Sequence, residues 1–209
     1  SRYNCVNSTS NSNIRLFGAF NYTVYVPTNE SIKAMINAGY LPTWDDYDRQ
    51  FNITESTSAS DGQKKAAQAA CEIIKNRIFN FVRYHIQDNS VAVGGAPDKD
   101  SQGNLMLSNS YETMLLNPET DRYYPLAVNV ANQGLTLKDR VGDTRQVVKT
   151  NGLYNNICRE YWTSGNGFYK LLYTSADAVV HLIDGPLLYS DSQRTPWNQQ
   201  VTNAKRWGK

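Results

Sequence analysis

The two histidines of the chain, His85 and His181, are the residues best suited to acid–base or metal chemistry, because an imidazole titrates near neutral pH and ligates transition metals. One of them could serve as a general base beside Asp184, or the two could ligate a metal together. A metal site normally needs a third or fourth ligand, however, and a catalytic base needs a nucleophile beside it. No HExxH, GxSxG or paired-cysteine pattern accompanies them. We therefore interpret both histidines as buried, hydrogen-bonded structural residues, and we predict no enzyme activity, catalytic residue, metal site or cofactor.

Three further patterns look functional but have simpler interpretations. Asp184 precedes Gly185 and Pro186, and Asp before Gly-Pro favours a turn in which the carboxylate bonds nearby backbone. The Gly-Asn-Gly run at residues 165–167 also predicts a turn, because no phosphate-binding GxGxxG or Walker pattern surrounds it. Asn-x-Ser/Thr triplets begin at four positions, Asn7, Asn21, Asn29 and Asn52. Chance alone predicts roughly three in a chain of this composition, so the triplets predict no glycosylation.

Aromatic residues are the better candidates for binding a ligand. The chain holds 14 Tyr and 4 Trp, and Tyr combines apolar area with a hydroxyl at low entropic cost. Tyr123 with Tyr124, and separately Trp162, could form a stacking platform for a sugar. Near the C-terminus, Trp197 and Trp207 lie among basic residues, and we expect them to pack on their own domain. The aromatic and polar composition could equally reflect the general usage of the host.

Charge and length exclude several classes of protein. The 209 residues carry a formal net charge of +2, with 40% hydrophobic and 19% charged residues. The electrostatic field of so small a net charge is weak, which argues against nucleic acid as the partner. The composition is that of a folded chain. The longest apolar stretch, residues 176–189, is too short to span a bilayer. The absence of a basic-then-apolar leader predicts a mature or trimmed segment.

The cysteines predict no disulfide framework. Cys71 lies on an apolar helical stripe and is interpreted as a small core residue. Cys5 and Cys158 could form a bridge, which the sequence alone leaves open.

The elements that must position these residues separate into early helices and late strands. Residues 22–26 predict a strand, followed by a helix that Thr28 caps and Gly39 ends. Thr43 and Asp46 stand at capping-box spacing for a second helix. A long helix is predicted over residues 61–85 from an apolar stripe of Ala67, Cys71, Ile74, Ile78, Phe81 and His85. Strands are predicted at residues 90–93, 105–107, 111–115, 123–130, 135–137, 146–149, 154–161 and 178–183.

Three segments, in order, resemble the boxes of one family, the fasciclin (FAS1) domain. The first is Thr23-Val24-Tyr25-Val26-Pro27-Thr28-Asn29-Glu30-Ser31-Ile32, similar to a strand that runs through Ala-Pro-Thr-Asn/Asp-Glu into a helix. The second is Tyr84-His85 at the end of the long helix. The third is Val179-Val180-His181-Leu182-Ile183-Asp184-Gly185-Pro186-Leu187-Leu188, close to Val-Ile-His-Val-Ile-Asp-x-Val-Leu-Leu. The structural motif residues are then Thr23, Pro27, Thr28, Asn29, His85, His181 and Asp184.

The chain departs from the family pattern at Val26 and Pro186, and the Asp-Ile adhesion motif of animal members has no counterpart. We predict a polar tail at 1–13, a single domain at 14–190, and a C-terminal tail at 191–209. Inserts interrupt the domain at about 42–62 and 151–173.

The resemblance implies an α+β fold, a wedge-like β-sandwich with a helical layer. It implies a non-enzymatic adhesion or ligand-binding module that lies outside the cell, on a bacterial surface and attached to the membrane only through a lipid anchor outside this segment. Its partner would be a surface or matrix protein or a glycan, with contacts from Tyr84, His85, Tyr123, Tyr124 and Trp162. The alternatives are a glycan-capturing accessory of a polysaccharide uptake system, an enzyme using a histidine with Asp184, and a structural spacer.

Overall fold

The computed structural model describes residues 22–94, 98–99, 102, 105–106, 108–131, 134–154, 156–164 and 171–206. The predicted N-terminal tail, Cys5, Trp207 and the predicted turn at 165–167 lie outside the described residues. The α-helices are α1 (Asn29–Asn37), α2 (Trp44–Glu55), α3 (Asp61–Tyr84) and α4 (Trp197–Arg206). The first five strands are β1 (Tyr22–Pro27), β2 (Ile86–Asp88), β3 (Asp98–Lys99), β4 (Leu105–Met106) and β5 (Ser108–Asn117). The remaining strands are β6 (Arg122–Ala131), β7 (Gly134–Lys138), β8 (Thr144–Val148), β9 (Asn156–Ser164) and β10 (Leu171–Ile183).

The helix boundaries follow the capping residues that the sequence predicts. The hydroxyl of Thr28 accepts a hydrogen bond from the Ser31 amide at the start of α1, and Gly39, at a φ of +70°, follows its end. Thr43 and Asp46 form the predicted capping box of α2. These predictions are confirmed, as is the long helix α3, for which His85 is the C-terminal cap residue.

The predicted strand at residues 90–93 is wrong. The chain leaves α3 through the short strand β2 and then turns into the core as irregular backbone at Val91 and Val93, both of which are buried. The hydroxyl of Thr23 donates to the Asn89 carbonyl over 2.7 Å and accepts from the Val91 amide over 2.9 Å. Because these side-chain bonds satisfy the backbone of the segment, a strand partner is not needed there. The other predicted strands overlap observed ones.

The sheet closes on itself, and this overturns the predicted β-sandwich with a helical layer. Seven strands follow each other in the order β1-β2-β5-β6-β7-β8-β10, and β10 also pairs with β1. That last pairing is parallel, with Tyr25 opposite His181 and Pro27 opposite Ile183, whereas the other ladders of the ring are antiparallel. The result is a barrel of seven strands, and β9 pairs with the N-terminal part of β10, residues 171–180.

The barrel interior is a packed core and not an open channel. One cluster of buried side chains fills it, drawn from every strand of the ring except β2, from Tyr84 at the end of α3, and from the loops that follow β2 and β10. It includes Tyr25, Tyr111, Leu126, Val128, Leu135, Leu137, Val147 and Ile183. Alternation in β6 sets the pattern, because Leu126, Val128 and Val130 are buried while the residues between them are exposed or half-buried.

The helices pack on the outside of this barrel through smaller clusters. Val82 at the end of α3 contacts outward residues of the sheet, among them Tyr22 and Met114. Cys71 and Tyr47 join α3 to α2, so the interpretation of Cys71 as a core residue is confirmed. Within the described residues, no helix has both the length and the apolar character needed to cross a membrane.

The C-terminal segment is fastened to the helices by Arg77. This buried guanidinium donates to the carbonyls of Tyr40, Ser192 and Thr195 and to the side-chain amide oxygen of Gln200, at 2.7–2.9 Å. Trp197 packs against the cluster between α2 and α3, as expected for packing on its own domain. The segment predicted as a tail therefore contributes a 3-10 turn, Asp191–Arg194, and helix α4.

Candidate functional site

His85 is buried and bonded at both ring nitrogens. Its Nε2 accepts from the Leu187 amide over 3.0 Å, so the ring proton is on Nδ1, which donates to the Phe81 carbonyl over 2.7 Å. Burial lowers the pKa of His85 to about 4. The imidazole is therefore neutral at physiological pH, and it ties the end of α3 to the segment that follows β10.

His181 is also buried, inside the barrel wall. Its Nε2 donates to the Val91 carbonyl over 2.7 Å, and its ring stacks on Tyr25 at 5.9 Å between centroids. Burial lowers its pKa, so this imidazole is neutral too. Its Nδ1 finds no hydrogen-bond partner among the described residues, and neither does Nε2 of the buried Gln87, whose amide oxygen accepts from the Tyr25 hydroxyl.

Several residues of the segments that resemble the fasciclin boxes hold loops in place through hydrogen bonds to their backbone. Thr23 and His181 hold the segment that follows β2, while His85 holds the segment that follows β10. The hydroxyl of Tyr84 accepts from the Arg140 amide over 3.0 Å and bonds the Pro125 carbonyl over 3.4 Å. Tyr84 is completely buried. Tyr84 and His85 therefore offer no side-chain surface to a partner in this conformation.

The remaining motif residues lie at the ends of strands and helices. Asp184 accepts from the Gln146 amide through Oδ1 over 3.0 Å, and its own amide donates to the Gln146 carbonyl. The chain bends at Asp184 as predicted, but its carboxylate bonds the backbone of β8 and not the backbone of its own turn. Pro27 ends β1 and is buried, and Asn29 is the exposed first residue of α1.

An open groove crosses the outer face of the barrel over β5, β6 and β7. It consists of two adjoining depressions, of about 480 and 230 Å³, that share Ser110, Pro125 and Arg140. We call this the outer groove, and its outward-facing or end residues are Ser110, Glu112, Arg122, Tyr123, Tyr124, Pro125, Ala127, Lys138 and Arg140. Tyr123 and Tyr124 both line this site, but successive residues of a strand point to opposite sides of the sheet. Tyr123 is the exposed ring on the outer face, whereas Tyr124 packs against the barrel core cluster.

The pairing register explains why the outer groove is recessed. Ser110, Ala127 and Lys138 are direct neighbours on three successive strands, and Glu112 stands opposite Pro125 one step away. Small side chains therefore form the floor, because Ser110, Ala127 and Pro125 project little from the sheet. Longer side chains rise around them at both ends.

Aromatic and cationic groups form the walls of the outer groove. Tyr123 is 48% exposed. The guanidinium of Arg140 lies over the ring of Tyr124, 4.6 Å from its centroid, and donates to the Tyr189 carbonyl over 3.4 Å. Arg122 and Lys138 are exposed. Glu112 is the one carboxylate on the surface of this groove among the described lining residues, because Asp139 is buried and accepts from the amides of Asp143 and Leu188.

A second, wider cleft of about 840 Å³ lies between α2 and α3. Its lining comes largely from the predicted insert at 42–62 and includes Gln50, Ser56, Ser60, Gln63 and Val201. Its described lining holds no aromatic ring and no charged side chain. The cleft therefore offers hydroxyls, amides and small apolar groups, with no stacking surface.

The structure brings some of the predicted binding residues together and separates others. Tyr123 and Tyr124 line the outer groove, whereas Trp162 belongs to β9, which is attached to β10. The sequence analysis missed Arg122, Lys138, Arg140 and Glu112. The placement of Arg122 directly before the two tyrosines was a usable signal, but Lys138 and Arg140 enter the groove only through the pairing of β6 with β7.

Fold and site together define a seven-stranded barrel with helices packed outside it and an aromatic, cationic groove on its outer face. Within the described part of the chain, no group of three or more His, Cys, Asp or Glu side chains could hold a metal ion. No protein-family model matches the chain, and no curated protein matches it either. The resemblance to the fasciclin domain therefore stays a prediction.

Proposed function

We propose that this chain is a non-enzymatic binding module that holds a glycan in the outer groove. The observation that carries the proposal is the position of the exposed Tyr123 ring in a concave site with a floor of small residues. Saccharide sites combine an aromatic face, which packs on the C–H groups of the sugar ring, with polar side chains that bond its hydroxyls. The outer groove supplies both kinds of group.

A glycan fits this site better than a folded protein partner does. Specific protein interfaces bury about 800 Å² on each partner around a central apolar cluster. The outer groove is lined by charged side chains, and Tyr123 is the most exposed aromatic ring in it. An extended, hydroxyl-rich chain matches such a groove more closely. The setting we propose is outside the cell, as the resemblance implies.

An enzyme using either histidine is a weaker candidate. Both imidazoles are neutral and covered, and their proton-donating nitrogens already donate to backbone carbonyls. A general base has to reach the proton that it removes within hydrogen-bond distance. Such contact would require the segments held by His85 and His181 to move away first.

Binding to an array of immobilised oligosaccharides tests the proposal. We expect the folded chain to bind members of the array, and the Tyr123→Ala variant to bind them at least tenfold more weakly, as expected for an anchoring aromatic residue. Leu153→Ala is the matched control, because Leu153 is 69% exposed and lies in a turn outside the groove. Absence of binding by the folded chain, or equal losses in the two variants, would contradict the proposal.

A further inference from the structure

We infer that the outer groove selects glycans that carry acidic groups, such as uronic acids. This inference rests on the proposed function, and it names the class of ligand for the same site. The charged side chains around the floor of the groove support it.

The first step is the charge balance of the surface that a ligand would touch. Three cations, Arg122, Lys138 and Arg140, line the groove together with two carboxylates, the exposed Glu112 and the buried Asp139. The chain as a whole carries only +2 over 209 residues. The excess of cations in the groove is therefore local, and an anionic ligand gains from it while a neutral one does not.

The second step concerns which cations are available to a ligand. Within the described residues, neither Lys138 nor Arg122 forms a salt bridge, whereas other cations such as Lys75, Arg145 and Arg194 are paired with carboxylates. An unpaired surface cation keeps its full attraction for an incoming anion, apart from screening by salt. Lys138 and Arg122 are thus open positions for carboxylates of the ligand.

The third step is the fixed orientation of Arg140. Its backbone amide donates to the buried Tyr84 hydroxyl, and its guanidinium rests on the Tyr124 ring and reaches the Tyr189 carbonyl. Arg140 is common to both depressions of the groove. A guanidinium held in this way loses little conformational entropy on binding and offers its remaining N–H groups to a carboxylate.

The fourth step relates the cations to the aromatic platform. Lys138 lies at the β7 end of the floor, in register with Ala127 and Ser110. Tyr123 lies further along β6, towards its hairpin with β5. A sugar unit stacked on Tyr123 would therefore place its neighbouring unit over the floor, within reach of Arg140 and Lys138. A carboxylate on that second unit meets a cation, whereas a hydroxymethyl group there does not.

A matched pair of ligands tests the inference. Titration calorimetry at low salt would compare tetrasaccharides of galacturonic, glucuronic and mannuronic acid with their methyl esters, which keep the ring and remove the charge. We expect the acid of at least one backbone to bind about tenfold more tightly than its ester. The preference should shrink as salt is added, because exposed charges are screened.

Charge variants locate the effect within the groove. Lys138→Gln should reduce the preference for the acid several-fold, and Glu112→Gln should increase affinity for the acid. Lys33→Gln is the matched control, because Lys33 is an exposed cation on α1 outside the groove. Circular dichroism would establish that each variant is folded.

The outcomes separate this inference from the proposed function. Equal binding of acid and ester at the groove would overturn the inference and leave the proposed function standing. Binding of neither form, with no other glycan bound on the array, would overturn both. Tighter binding of an acidic peptide such as oligoglutamate than of any glycan would overturn the glycan assignment and retain only the cationic site.

Discussion

His85 at the end of α3 and His181 in β10 are both buried, and the nitrogen of each that carries the ring proton donates to a backbone carbonyl. Lys138 and Tyr123 belong to the same sheet as His181 but lie on its outer face, where the solvent reaches them. The first pair holds loops in place, because each ring bonds backbone of a segment without regular structure. The second pair bonds nothing comparable, and it remains available to a ligand.

This difference shows that the most reactive residue types of the chain lie outside the binding site that we propose. The imidazoles stand out in the sequence because there are only 2 of them and both fall in apolar surroundings. Apolar neighbours in the sequence, however, indicate that a residue is buried. A buried polar side chain is tolerated only when it is hydrogen-bonded. Tyr123 is visible in the sequence as one of two adjacent tyrosines, but Lys138 and Arg140 join it only when the strands are placed side by side.

Removing the His85 ring gives the largest effect that the comparison predicts. We expect His85→Ala to lower the free energy of unfolding by about 3–5 kcal/mol, because a ring-sized cavity forms and the Leu187 amide loses its acceptor. Urea unfolding followed by circular dichroism measures this loss. A change below about 1 kcal/mol would show that the ring does not hold the segment after β10.

Acid should weaken the fold through the same residue. The folded pKa of about 4 for His85 lies below the ordinary value of 6.5, so the unfolded chain takes up the proton first. The neutral His85 ring contributes fully to the free energy of unfolding above pH 6.5. This contribution, about 3 kcal/mol in total, is lost as the pH falls towards 4. Burial raises the pKa of Asp139, so its protonation acts in the opposite sense over the lower part of this range.

Unfolding curves at pH 7.5, 6.0 and 5.0 isolate the histidine contribution when the chain is compared with His85→Phe. That variant keeps an aromatic ring beside Phe81 and cannot titrate. The parent chain should lose more stability than the variant between pH 7.5 and 5.0. Parallel losses in the two proteins would contradict the assignment.

The groove should respond in the reverse way, with an effect on binding and almost none on stability. Tyr123→Ala removes a side chain that is 48% exposed, so the free energy of unfolding should change by less than about 0.5 kcal/mol. Thermal unfolding measures this directly. A loss comparable to that of His85→Ala would mean that Tyr123 is part of the scaffold and not of a binding surface.

Local structure could be predicted from the sequence to a large extent. Thr28, Thr43 and Gly39 act through hydrogen bonds or backbone conformations within a few residues, so their roles appear in a short window. The apolar residues that recur at steps of three or four up to His85 likewise predicted the helix in which they lie. Individual strands of the second half were found for the same reason.

Closure of the barrel could not be predicted in this way. It depends on the parallel pairing of Tyr25 with His181, two residues that are far apart in the sequence. Alternation in a strand specifies which face is buried, but it does not specify which strand lies beside it. The same limit explains why Lys138 and Arg140 were missed beside Tyr123.

Mapping of a bound acidic tetrasaccharide by amide chemical shifts tests the central claim most directly. The largest changes are predicted at the amides of Ser110, Tyr123, Ala127, Lys138 and Arg140, with little change at those of His85 and His181. Changes centred on the cleft between α2 and α3, or on the amide of either histidine, would contradict the claim.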